Sequence, residues 1–275
     1  MRESAALFQT PNLDVMYPVT AGQAGDFERD GHILLRGVAS AEVVEFFRPA
    51  IYRTAQKYGR ENRKLEERDT YGKAFLQITN LWEVDETVKK FVFARRFAQI
   101  AADLLGVEKV RLYHDQALYK EPLGGHTPWH QDKFYWNLDT DKMVTMWMPL
   151  VDVSPEMGTM AFASGSHKMG MVENVHISDE SEEIYKNYIA DKNFPVHQNG
   201  SMRAGDATFH HGWMVHSAGG NRSEAVTREV MTVIYFADGA RITEPINEFQ
   251  KADHKRWLSG IEPGKIADGE LNPIL

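Results

Sequence analysis

Gly106-Val107-Glu108-Lys109-Val110-Arg111-Leu112-Tyr113-His114-Asp115-Gln116-Ala117-Leu118-Tyr119 is where this chain changes character. Before it the apolar residues recur at helical spacing. Ser40 stands as the N-cap of a helix through about Tyr58, with Val43, Val44, Phe46, Phe47, Ile51 and Tyr52 on one broad apolar face. Val84–Leu105 repeats the pattern, and Gly106 supplies the C′ stop. Only one strand is expected upstream, Ile33-Leu34-Leu35 after an Asp30-Gly31 turn within Asp26–Val38; residues 1–20 read as an irregular arm and Arg60–Thr70 as an exposed loop. From Val107 onward alternation takes over. Val107–Tyr119, Met143–Val153, Thr159–Ala163, Ala207–Phe209, Met214–Ser217 and Glu229–Phe236 read as strands between Gly, Ser, Asn and Pro turns. Acidic, helical Ile177–Ala190 reads as a surface insert. Helices first and strands afterwards, with no βαβ alternation, predict an α+β chain with a mainly β core, a barrel or jelly roll. The expected organisation is one domain over residues 1–275, helical over about 20–106 and jelly roll over about 107–240.

Composition narrows the function. A net charge of -8 and the lack of Lys/Arg runs argue against nucleic acid as a partner. The longest apolar stretches are strand-length, too short to cross a membrane. Met1-Arg2-Glu3-Ser4 is not followed by the apolar segment of a signal peptide, and there are no cysteines for disulfides, thiolate metal sites or iron–sulfur clusters. A cytoplasmic enzyme acting on a small molecule is the expectation.

Against that background His130-Gln131-Asp132 stands out, followed by His216 and, 12 residues later, Arg228. Strand side chains repeat every two residues, so His-x-Asp presents an imidazole and a carboxylate to one ion. Two imidazoles and one carboxylate are the ligands of a non-haem Fe(II) site that keeps positions open for substrate and oxygen. His-x-Asp alone is weak, since such a pair is more often hydrogen-bonded surface polarity. The setting strengthens it: Gly124–Trp129 turns into the motif and Phe134-Tyr135-Trp136 follows, so that Trp129, Tyr135 and Trp136 are candidates for an aromatic substrate wall. Nine of the eleven histidines lie between positions 114 and 216, so most must be structural. His210 and His211 stay open as ligands or supporting partners; His216 is preferred because it sits in an apolar strand with Arg228 a hairpin away. That guanidinium can grip the far carboxylate of an organic acid lying on the metal.

Asp115–Pro122, Thr127–Asp132, Met146–Leu150, Gly158-Thr159-Met160, Gly165–Lys168 and Gly205-Asp206 with His216 together resemble the phytanoyl-CoA dioxygenase family, which includes ectoine hydroxylase. The resemblance runs from about Asp26 to Ala237. It implies a double-stranded β-helix (cupin-like jelly roll) with N-terminal helices packed on it, Fe(II), 2-oxoglutarate as co-substrate, and O2. Residue by residue, it makes His130, Asp132 and His216 the iron ligands and catalytic centre. It pairs Arg228 with the C5 carboxylate of 2-oxoglutarate, with Arg222 a minor competitor. Gln116 and Lys120 then fall on a strand lining the co-substrate, Lys120 being the better carboxylate partner; Trp147 falls beside the metal. Relatives carry a serine two residues after the second histidine, where this chain has Ala218, with Ser217 one earlier. Asn80, with Tyr71 and Lys73, belongs to the N-terminal region that covers such sites.

The function implied is a dioxygenase that hydroxylates a C–H bond of a small metabolite (polar, phosphonate, carboxylate or natural-product intermediate) and releases succinate and carbon dioxide. Asp132 bears on the outcome, because related halogenases carry a small residue there. One rival is a non-catalytic cupin-like binding protein with a fourth histidine such as His211 closing the ion's coordination. Another is an isomerase or thiol dioxygenase using a different metal, although those take three histidines or His/Glu sets where this chain offers Asp132.

Overall fold

The computed structural model describes residues 10–275; Met1-Arg2-Glu3-Ser4 and the first part of the expected arm lie outside the described residues. The chain opens with helix α1 (Ala21–Asp30), strand β1 (His32–Leu35) and helix α2 (Ala41–Tyr58). Thr20 and Gln23 form a capping box on α1, and Gly31 ends it in the left-handed conformation. Ser40 caps α2 by accepting the Val43 N–H, as expected. Next come α3 (Thr70–Ala74), β2 (Leu76–Thr79), α4 (Glu86–Val92) and α5 (Arg95–Leu105). The expected single helix over Val84–Leu105 is therefore two. Asp85 caps α4 through the Thr87 and Val88 amides, and Phe93-Ala94 breaks the path before α5 starts. Gly106 closes α5 at φ 64°. The stretch Arg60–Thr70 is exposed over most of its length, as expected, with Arg68 alone buried, against Glu121.

The β part comprises β3 (Val110–Lys120), β4 (Thr127–His130), β5 (Met143–Pro149), β6 (Met160–Ala163), β7 (Val196–Gln198), β8 (Ala207–His211), β9 (His216–Ala218) and β10 (Arg228–Ala237). Helix α6 (Asp179–Lys192) interrupts it and α7 (Glu248–Trp257) follows it. The strands form two sheets, β1-β8-β5-β10-β3-β2 and β4-β9-β6-β7, with antiparallel pairing throughout. This is a double-stranded β-helix. The larger sheet recruits β1 and β2 from the helical half, so the core does not begin at residue 107. β2 escaped the sequence reading because four residues, Leu-Gln-Ile-Thr, give little alternation to detect.

Strand alternation explains how the larger sheet serves two layers. On β10, Met231, Val233 and Tyr235 pack with Ala117 and Tyr119 of β3, Met146 and Met148 of β5 and the apolar faces of α2, α4 and α5. Val230, just before that set, faces the smaller sheet, joining Leu118, Trp147, Met160, Phe162 and Ala218. β10 is thus buried on both sides, which is why Glu229–Phe236 reads as a nearly continuous apolar run. Helix α6 is no mere surface insert: Tyr185 and Ile189 are buried against Trp129, Val175 and Val215, and Glu182 accepts the Trp129 backbone N–H at 2.8 Å. No helix among the described residues is long and apolar enough to cross a membrane.

The Gly205-Asp206 turn fixes where β8 enters. Asp206 accepts the backbone N–H groups of Gly37 and Arg203, each at 2.9 Å, and pairs with Arg36 at 2.7 Å. Gly205 sits at φ +90°, and a Cβ there would meet the Ala39 carbonyl oxygen at 2.2 Å. Gly205→Ala should therefore cost about 1–3 kcal/mol, read as a lowered denaturant midpoint with an unchanged slope; an unaltered midpoint would show that the turn relaxes freely.

Candidate active site

His130 and His216 are direct cross-strand partners on β4 and β9, so the ladder register itself brings the two rings together, with centroids 4.1 Å apart. Each imidazole is oriented by its own strand. His130 Nδ1 donates to the Pro128 carbonyl at 2.7 Å and His216 Nδ1 to the Met214 carbonyl at 2.9 Å. That fixes the tautomer and leaves both Nε2 lone pairs turned to a common point. Asp132 Oδ1 lies 3.5 Å from His130 Nε2 and 3.7 Å from His216 Nε2. All three ligand atoms fall within 4.8 Å of one another, a span that suits ligands held about 2.0–2.2 Å from one ion.

Asp132 reaches this position from a tight turn rather than a strand edge, because β4 ends at His130 and a 3-10 turn starts at Asp132. Between them Gln131 is buried and points away. Its amide donates to the Gly170 and Trp213 carbonyls, and its oxygen accepts from the Val172 N–H and Tyr185 hydroxyl. The second carboxylate oxygen of Asp132 accepts from Thr145 Oγ1 at 2.8 Å and pairs with His210 Nε2 at 3.2 Å. Burial alone would raise the Asp132 carboxyl, but His216, His130 and His210 hold it well below the ordinary carboxylate range. Burial, with His130 and His210 nearby, holds the His216 imidazolium form well below its ordinary range. Ionised carboxylate and neutral imidazole are the states that bind a metal. His210 thus supports Asp132. His211, the next residue on β8, accepts the Trp213 N–H and packs on His167, outside the triad.

A cavity of about 530 Å³ opens over the triad. It follows β10, with Arg228 at one end, Thr232 in the middle and Ile234 towards the other. Arg228 is 1% exposed. One terminal nitrogen donates to the Gly158 carbonyl at 2.6 Å, the guanidinium lies 5.3 Å over Trp147, and its Nε has no partner. Desolvation pushes it down to about 9. A buried guanidinium with a donor to spare is a site for an anion. Lys120, the cross-strand partner of Arg228, is wholly buried and donates to the Gly125 carbonyl and to Thr127 Oγ1. Burial, then Arg228, pushes its ammonium down to about 6. Thr127 lines the cavity and Lys120 stands behind it, so its contribution is charge rather than contact. Gln116 lines the cavity and accepts from Gln77, which in turn accepts from the Tyr71 hydroxyl.

The aromatic wall is partly rearranged. Tyr135, Trp136 and Trp147 line the cavity, but Trp129 belongs to the packing beneath α6, on the face of β4 away from His130. Asn80 is buried at φ 50°, bonded to Glu83 and to the Asp115 N–H; it ties the segment after β2 to the back of β3 and does not line the cavity. Ser217 alternates away, and Ala218 occupies the cavity face beside His216. The sequence reading missed Phe249, Asp253 and Trp257 on α7, as well as His114, Thr145 and His176, all of which line the cavity.

Two imidazoles on paired strands of a jelly roll and one carboxylate on the turn that follows, beside a buried guanidinium, define the open metal centre of a non-haem oxygenase fold. The phytanoyl-CoA dioxygenase family model matches residues 27–230, and the chain belongs to that family. It is 33% identical over 117 residues to the 1-deoxypentalenic acid 11-beta-hydroxylase of Streptomyces exfoliatus, covering 40% of this chain and 39% of that one. It is 24% identical over 156 residues to the ectoine dioxygenase of Sphingopyxis alaskensis, covering 55% and 51%. The match therefore spans about half or less of each relative's length. Among solved structures, the non-haem alpha-ketoglutarate-dependent carbocyclase SnoK of nogalamycin biosynthesis superposes over 97% of this chain and 99% of its own at TM-score 0.77 and 24% identity. The epimerase SnoN, solved with Fe3+, alpha-ketoglutarate and nogalamycin RO, covers 91% and 96% at TM-score 0.74 and 25% identity.

Thr145→Val keeps the shape beside Asp132 but removes one of its donors. Affinity for Mn(II), a redox-silent stand-in for Fe(II), should fall about tenfold or more by calorimetry; an unchanged affinity would free Asp132 from dependence on that hydroxyl.

Proposed function

We propose that this protein is an Fe(II)- and 2-oxoglutarate-dependent dioxygenase that hydroxylates a C–H bond of a small metabolite, the whole chain acting as one domain. The observation that carries the reading is the pairing of an open His130–Asp132–His216 cluster with the fully buried, incompletely partnered Arg228 in one cavity. When bound, the metal and co-substrate would supply an oxidant for C–H bonds, with succinate and carbon dioxide as by-products. His130, Asp132 and His216 would hold the ion, carrying one negative charge against its two positive ones.

The chain's own residues do the positioning. Arg228 would take the C5 carboxylate of 2-oxoglutarate through its free Nε and terminal nitrogens, with its plane steadied by Trp147 and the Gly158 carbonyl. Lys120 would add positive charge from behind Thr127, regaining its proton as the dianion enters. Apolar Leu118, Met160 and Ala218 keep water from the co-substrate end. Tyr135, Trp136 and the α7 side chains would hold the substrate C–H over the metal. The closed-site alternative, with His211 as fourth ligand, is disfavoured by the packing of that ring on His167.

The test is succinate release from 2-oxoglutarate with Fe(II) and O2, together with binding under nitrogen. Arg228→Met should raise the 2-oxoglutarate dissociation constant by about a hundredfold, since a buried charge-assisted pair is lost, whereas Lys120→Met should raise it less than about tenfold. Asp132→Ala should abolish turnover. Failure of the parent protein to bind both Fe(II) and 2-oxoglutarate would end the assignment.

A further inference from the structure

The substrate half of the cavity is built by one face of α7. Phe249, Asp253 and Trp257 recur every four residues, so they lie one above another, and all three line the cavity. From the jelly roll, His114 approaches Trp257 with ring centroids 4.9 Å apart, and Tyr135 meets Phe249 edge-on at 5.7 Å. His176 stacks on Phe249 at 4.9 Å. Within this aromatic enclosure stands the Asp253 carboxylate, and no Lys or Arg among the described residues pairs with it. The neighbouring cation on the helix, Arg256, is turned outward to Glu83 at 2.9 Å. Desolvation pushes the Asp253 carboxyl up to about 7, with the Tyr113 hydroxyl and the Trp257 indole N–H beside it opposing that rise. On the Trp257 side, His114 Nδ1 is buried with no hydrogen-bond partner. Arg228 is the one Lys or Arg among the described residues that lines the cavity, against Asp69, Asp132 and Asp253.

A carboxylate in an apolar wall, without a counter-cation, is costly unless a ligand brings one. Ring faces carry negative potential, so a cluster of them around such a carboxylate favours a cation over a neutral or anionic group. We infer that the primary substrate is cationic, carrying a protonated or quaternary amine that lies against Asp253 and between the rings of Trp257, Phe249 and Tyr135. Asp253 is then a specificity-determining residue, and α7 the element that chooses the substrate. The inference rests on the oxygenase reading above, in which Arg228 and the metal are taken by the co-substrate. It narrows the substrate from any small metabolite to an amine, and it disfavours phosphonates and carboxylates.

The test uses two probes of similar girth, benzyltrimethylammonium and uncharged 2,2-dimethyl-3-phenylpropan-1-ol, titrated by calorimetry into protein loaded with Mn(II) and 2-oxoglutarate under nitrogen. The ammonium should bind at least about tenfold more tightly. Asp253→Asn should bring the two affinities within about twofold while leaving 2-oxoglutarate affinity unchanged. Trp257→Leu should weaken the ammonium several-fold and serves if the Asn variant does not fold. Equal affinities, preference for the alcohol, no ammonium binding to the loaded protein, or an Asp253→Asn variant that keeps the preference would each overturn the inference. Failure to load Mn(II) and 2-oxoglutarate instead sinks the oxygenase reading, and titration of the metal-free protein still reads the cation preference separately.

Discussion

Everything at the centre of this molecule depends on two imidazoles facing each other across an antiparallel ladder, each with its Nδ1 tied to a carbonyl two residues earlier in its own chain. The His130–Pro128 and His216–Met214 bonds are local and need no tertiary partner. They decide which nitrogen is free. Cross-strand register then decides where the two free nitrogens meet. A one-residue slip of β4 against β9 would turn one ring to the wrong face of the sheet, so the site inherits its precision from strand pairing rather than from side-chain packing.

Asp132 could not be delivered by the same ladder. It leaves the strand at once into a 3-10 turn, and the intervening Gln131 anchors that turn through four hydrogen bonds on the opposite side. Thr145 and His210, from two strands of the other sheet, then hold the carboxylate by its second oxygen. The metal-facing oxygen is thereby aimed by groups from both sheets, which ties the geometry of the centre to the packing of one sheet against the other.

The sequence showed this centre well and its surroundings less well, for a physical reason. His130, the second histidine and the distal arginine are strand features with fixed side-chain periodicity, Asp132 was read from its spacing to His130, and α2 and α5 announce themselves through Ser40 and Gly106. Trp129 misled because adjacent strand residues look alike in composition while pointing to opposite faces. Asn80 misled because a polar residue in a covering segment can as readily brace the backbone, which its left-handed conformation and its bond to the Asp115 amide show it does. α7 was invisible because its ten residues, Glu-Phe-Gln-Lys-Ala-Asp-His-Lys-Arg-Trp, are mostly polar. Phe249 and Trp257, two turns apart, are too sparse for an amphipathic pattern.

That division of legibility follows the division of labour in the cavity. The jelly roll supplies the His130–Asp132–His216 cluster and Arg228; strand register places His130, His216 and Arg228, and the turn after β4 places Asp132. The substrate end is walled by α7, by the loop carrying His176 and by the segment around Tyr71, none of which belongs to either sheet. Such appendages can change length and composition without disturbing strand register, so one chemical centre can serve different substrates. Identity of the substrate is therefore encoded in the parts of the chain with the weakest periodic signal. In this protein those parts bring together a carboxylate without a counter-cation and several ring faces, an environment whose electrostatics select for positive charge.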